Sequence, residues 1–98
     1  MATRRNGCAA VALDEHRVMV AGGSSGSDSL ITTEVLDVRT MAFAAGPSMG
    51  SVRSFCAAVP VDARHVLVIG GQDASEKALA TTELLDVATM QFAPGPAM

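Results

Sequence analysis

The sequence predicts an all-β fold of two tandem four-stranded antiparallel units, and three observations predict it. The chain repeats itself at a spacing of about fifty residues, its apolar residues alternate in short runs, and turn-forming residues separate the runs. The repeat is the strongest of the three. Met1, Arg5, Cys8-Ala9-Ala10-Val11, Asp14, Val18, Val20 and Gly22-Gly23 return 48 positions later as Met49, Arg53, Cys56-Ala57-Ala58-Val59, Asp62, Val66, Val68 and Gly70-Gly71. Beyond the double glycine the offset is 49, which carries Thr33-Glu34, Leu36-Asp37-Val38, Met41, Phe43 and Gly46-Pro47 onto Thr82-Glu83, Leu85-Asp86-Val87, Met90, Phe92 and Gly95-Pro96. The extra residue falls in the loop after Gly71, where an insertion is tolerated.

Each unit reads as four strands. Residues 7–13 are small and apolar, and 17–21 alternate, with Val18 and Val20 on one face. Residues 33–38 alternate in the same way, and 42–45 carry Phe43. Asp14-Glu15, the stretch from Gly22 to Ser29, Arg39-Thr40 and Gly46-Pro47 supply the turn chemistry between them. The second unit repeats the scheme at 55–61, 65–69, 82–87 and 91–94. No window holds a helical period long enough to compete. The units divide at residues 1–49 and 50–98, and a period near fifty points to a propeller or a solenoid.

These landmarks resemble the kelch family of β-propeller repeats. Its blades carry an Arg before the inner strand, a hydrophobic strand ending in Gly-Gly, a Glu-x-x-Asp strand, an aromatic residue and a closing Met. Here those are Arg5, Gly22-Gly23, Glu34 with Asp37, Phe43 and Met49, then Arg53, Gly70-Gly71, Glu83 with Asp86, Phe92 and Met98. Phe43 and Phe92 stand where the family usually has Trp, and Leu36 and Leu85 where it has Tyr. The resemblance spans the chain and implies two kelch-type blades of a six-bladed ring. It assigns Gly22, Gly23, Glu34, Phe43, Gly70, Gly71, Glu83 and Phe92 to the structural motif.

Two blades cannot close a ring. Each propeller blade covers both broad faces with neighbours, so two leave two apolar faces open. Family rings have six or seven blades, and two-bladed units cannot tile seven. A head-to-tail homotrimer making six blades is therefore expected. The alternative is a fragment of a larger kelch or galactose-oxidase-like propeller protein. Differences such as Arg4 against Val52 speak for natural divergence rather than designed copies.

Composition narrows the partners. Among 98 residues with a formal net charge of −3 there is no basic patch of the kind that holds nucleic acid, and no run approaches a membrane span. The apolar run after Arg4-Arg5 is too short for a secretory signal and recurs from Cys56. Cys8 and Cys56 occupy equivalent positions and read as small, reduced core residues, which favours a cytoplasmic setting.

The candidate partner-binding residues are Arg5 and Arg53. The resemblance places them at a channel mouth, where arginines of related domains contact acidic segments and six would gather in a closed ring. The competing role is pairing within the blade, to Glu34, Glu83 or backbone carbonyls. Gly22-Gly23-Ser24-Ser25-Gly26-Ser27 lacks the lysine and helix of a phosphate loop. His16 and His65 are not equivalent in the repeat, and their spacing matches no zinc motif. Asp14, Asp37, Asp62 and Asp86 recur in turns and at strand ends, where Asp supports local backbone bonding. No catalytic residue, metal or cofactor is expected. A copper oxidase of this family would bind its metal through Tyr and His, and the chain has no Tyr. The expected function is noncatalytic protein binding or self-assembly.

Overall fold

The computed structural model describes residues 5–24 and 30–97. Met1, Arg4, Met98 and most of the Gly-rich loop, 25–29, lie outside the described residues. Eight strands run in chain order: β1 (Ala9–Ala12), β2 (Arg17–Ala21), β3 (Thr33–Asp37), β4 (Ala42–Ala45), β5 (Ala57–Pro60), β6 (His65–Ile69), β7 (Thr82–Asp86) and β8 (Gln91–Pro94). They form two antiparallel sheets, β1-β2-β3-β4 and β5-β6-β7-β8, each strand pairing with the next in sequence. The described residues contain no helix.

The bounds of β2, β4, β6 and β8 are those the alternation predicts. The first strand of each unit, β1 and β5, is shorter than expected for two local reasons. At their starts, Gly7 and Phe55 take φ of 71° and 56°, outside the extended region. At their ends, the carbonyls of Arg17 and His65 capture the amides of Leu13 and Val61 and close the hairpins. β3 and β7 stop at their Asp residues. Asp37 takes the amide of Arg39 and Asp86 that of Ala88, and the backbone turns through Met41 and Met90 at φ of 57° and 55°. A left-handed Met costs on the order of 1–2 kcal/mol. Both units carry that cost at the same place, so the repeat extends to backbone conformation.

The double glycines act as expected. Gly22 has φ 67°, and a Cβ there would stand 2.2 Å from the carbonyl oxygen of Arg53. Gly23 at φ 91° donates its amide to that same oxygen, at 2.7 Å. The second strand of the first unit thus turns where the second unit's leading segment presses against it, leaving no room for a side chain.

Register assigns the faces. In the first sheet Ala9, Val11, Met19, Ala21 and Val35 share one face, and Ala10, Val18, Val20, Leu36 and Phe43 the other. In the second sheet the face equivalent to the latter carries Ala58, Val66, Val68, Leu85 and Phe92. The two sheets stack the first set onto the second. Val11, Leu13, Met19 and Ala21 form one core cluster with Met49, Val66, Val68, Leu85 and Val87, and Val35, Ala58, Met90 and Phe92 pack against it. The shortest extent is 16 Å, which fits two sheets about 10 Å apart and no third layer. Burying each of Met19, Val66, Val68 and Leu85, all at 1% exposure or less, contributes about 1.5–3 kcal/mol. Backbone bonds sew the units together as well: Arg53 to Leu30 and Phe55 to Gly7, each amide donating to a first-unit carbonyl.

Candidate functional site

The two arginines are fastened inside their own units. Arg53 donates from Nε to Glu83 at 2.8 Å, from Nη1 to the carbonyls of Gly70 and Thr81, and from Nη2 to Thr81 Oγ1. Arg5 repeats the set with Glu34, Gly22, Thr32 and Thr32 Oγ1. Their side chains are 0% and 1% exposed, so a carboxylate arriving from solvent meets neither guanidinium. These are the bonds of the pairing alternative. Glu83 does more than pair. It also accepts the amides of Gly50 and Ser51, tying the connection between the units to the second sheet.

Other members of the structural motif divide between the units. Phe92 packs on the shared core, whereas Phe43, its repeat equivalent, is 37% exposed on the outward face. Gly70 and Gly71 keep the left-handed φ of their counterparts, at 62° and 92°. A groove of about 410 Å³ lies along Ser48, Met49, Gly50, Glu83 and Phe92, and a smaller one of about 200 Å³ follows Thr33, Glu34 and Phe43. Both run beside an Arg–Glu pair already spent on the fold. Two further residues belong to this framework. Thr33 and Thr82 are buried and donate from Oγ1 to the carbonyls of Pro47 and Pro96, each at 2.7 Å. Their recurrence in the repeat was the available signal.

The acidic turn residues serve the backbone. Asp14 accepts the amides of His16 and Arg17, and Asp62 those of Arg64 and His65. Amide hydrogen bonding, from His16 and Arg64 respectively, is the largest cause holding both carboxyls below their ordinary value. For Asp37 and Asp86 the largest cause is a guanidinium hydrogen bond, from Arg39 and from Arg64. A carboxyl depressed in the folded state contributes stability above its unfolded value of 3.8, and that contribution fades as pH falls through the folded value. The melting temperature is therefore expected to hold level above about pH 5 and to fall as pH drops below 4. Thermal melts followed by circular dichroism test this, and a Tm rising below pH 4 contradicts it. Burial pushes the Cys56 thiol upward, which keeps it protonated and unreactive at neutral pH. Cys8 and Cys56 are both free. Among the described residues no group of three or more His, Cys, Asp and Glu is placed to hold a metal ion.

Each sheet also has an outward face. On the second sheet this is Val59, Leu67, Ile69 and Leu84, with Val61 at the strand end. Val59 is 41% and Val61 57% exposed, against 6% for each of their repeat equivalents, Val11 and Leu13. On the first sheet it is Val18, Leu36 and Phe43 with Val38 and Met41, the last 69% exposed. Both outward faces leave apolar side chains open to solvent, and Phe55, at the start of the second unit, is 67% exposed as well. No helix among the described residues is long and apolar enough to cross a membrane.

No family model matches the chain, and no curated protein matches it. The chain itself defines a class: an all-β protein of two four-stranded antiparallel sheets stacked face to face through a shared aliphatic core. Each sheet carries the same buried Arg–Glu pair.

Proposed function

We propose that this chain is a noncatalytic kelch-type module, two propeller blades whose work is protein binding through self-assembly. Three copies, joined head to tail, make a six-bladed ring. The observation that carries this reading is that each sheet buries one broad face on the other and turns an equally apolar face outward. Supporting it, the 48- and 49-residue repeat reproduces sequence, strand order and the Arg–Glu pairing in both sheets. Asp14, Asp37, Asp62 and Asp86, outside those pairs, cap turns, a structural duty rather than a chemical one. Further blades of a longer propeller chain would suit the same faces.

Light scattering behind a sizing column tests the assembly. The expected mass is about 30 kDa, three times the 10.0 kDa chain. A concentration-independent 10.0 kDa contradicts the self-assembling reading and leaves the longer-propeller one. A mass that climbs without limit contradicts closure, because a rotation that does not close gives an open filament.

A further inference from the structure

We infer which surfaces join the copies: the outward face of β5–β7 in one copy receives the outward face of β2–β4 in the next, in the polarity of the interface already inside the chain. The inference rests on the self-assembly reading and names its contact.

Each outward face is the repeat twin of a face whose partner is known. Inside the chain, the second sheet presents Val66, Val68, Leu85 and Phe92, with Val87 and Met90 in the following turn, to the first sheet. The outward face of the first sheet presents Val18, Val20, Leu36 and Phe43, with Val38 and Met41 in the following turn. These six are the same residues in the same order. One set is packed against a sheet, with Val66, Val68 and Leu85 at 1% exposure or less. In the other, Val20 is 8% exposed, and Val38, Met41 and Phe43 stand 37–69% exposed.

The opposing faces correspond in the same way. Val11, Leu13, Met19, Ala21 and Val35 receive the second sheet. Their equivalents on the outward face of the second sheet are Val59, Val61, Leu67, Ile69 and Leu84. All ten are aliphatic or Met, and none introduces a charge or an unpaired polar group into the contact. Ile69 for Ala21 is the one large change, so the contact between copies opens wider there than the contact within the chain. The occupant is a second copy of this chain because it carries the surface that each outward face is already shown, by its twin, to fit.

The two faces differ from each other, so the contact is heterologous, and that gives a test. Val61→Asp disables the second sheet's face, and Val38→Asp the first sheet's. Both positions are exposed in the single chain, at 57% and 38%, so neither charge is buried unless copies meet. Each variant alone is expected to run as a single chain of 10.0 kDa, with self-affinity weakened by at least about 100-fold. Mixed together, they retain one intact face of each kind and form a 1:1 pair of about 20 kDa that grows no further. Circular dichroism checks that each variant keeps its strands, and Val59→Asp with Met41→Asp provides a second pair should either unfold.

Variants that keep the mass of the unaltered chain overturn the inference and leave the assembly reading standing. So do variants that each dimerise alone, or a mixture of folded variants that stays at 10.0 kDa. An unaltered chain that runs as a single copy overturns both.

Discussion

Arg53→Ala is expected to cost about 3–5 kcal/mol, a large part of the roughly 5–15 kcal/mol that holds a domain of this size. The side chain is 1% exposed and every nitrogen donates: Nε to Glu83, Nη1 to the carbonyls of Gly70 and Thr81, Nη2 to Thr81 Oγ1. Its removal leaves a 7% exposed carboxylate without its cation and takes the guanidinium donor from the Gly70 carbonyl, while the Thr81 carbonyl keeps only the amide of Gly70. A buried charge stripped of its partner is far more damaging than a pair that was never there. Replacing both members, as in Arg53→Met with Glu83→Leu, is expected to recover part of the loss. Recovery stays incomplete because the amides of Gly50 and Ser51 then lose the Glu83 oxygens they donate to. Arg39, paired with Asp37 but 63% exposed, serves as the control, and Arg39→Ala should shift stability little. Urea unfolding at constant m value reads all of these. A loss for Arg53→Ala below about 1 kcal/mol, the level of a surface pair, contradicts the account.

Leu85→Ala is the second large effect, expected at about 2–5 kcal/mol. Leu85 is 0% exposed and belongs to the cluster that joins the two sheets. Truncation removes contacts on both sides of the stack, and with Val66 and Val68 also at 0–1% exposure, little can collapse into the space. The same change weakens the seating of one sheet on the other. Unfolding should stay a single cooperative transition, because neither sheet keeps a core once the shared one opens. Two separate transitions, one per sheet, contradict that expectation.

Much of this architecture was legible in the sequence because period-two alternation fixes which residues can pair. Arg17–Ala21, Ala42–Ala45, 65–69 and 91–94 fall where the Val and Phe spacing puts them. β1 and β5 are shorter than their apolar runs imply. Phe55 sits at φ 56° for a reason outside its own neighbourhood: its amide reaches Gly7, and its ring lies where a Cβ on Gly7 would point. Since one unit has Gly there and the other Phe, the repeat carried no hint of it. The role of the arginines was a choice between two visible options. Three nitrogens of Arg53 make four bonds to atoms 17 to 30 residues away, a geometry that local pattern does not encode. Val11 and Val59 make the limit plain. They are the same residue in the same repeat position, one 6% and the other 41% exposed, and the difference comes wholly from which neighbour is present.

That difference also supplies the decisive measurement. Leu36 is the repeat equivalent of Leu85 on the outward face of the first sheet, and in the single chain it is only partly buried. The stabilities of Leu36→Ala and Leu85→Ala, compared at the highest concentration at which the unaltered chain stays in solution, report whether that face is covered. If copies stack on it as the second sheet stacks on the first, the two truncations cost the same within about 1 kcal/mol. If Leu36→Ala costs less than about half of what Leu85→Ala does, the face stays open to water and the assembly does not exist.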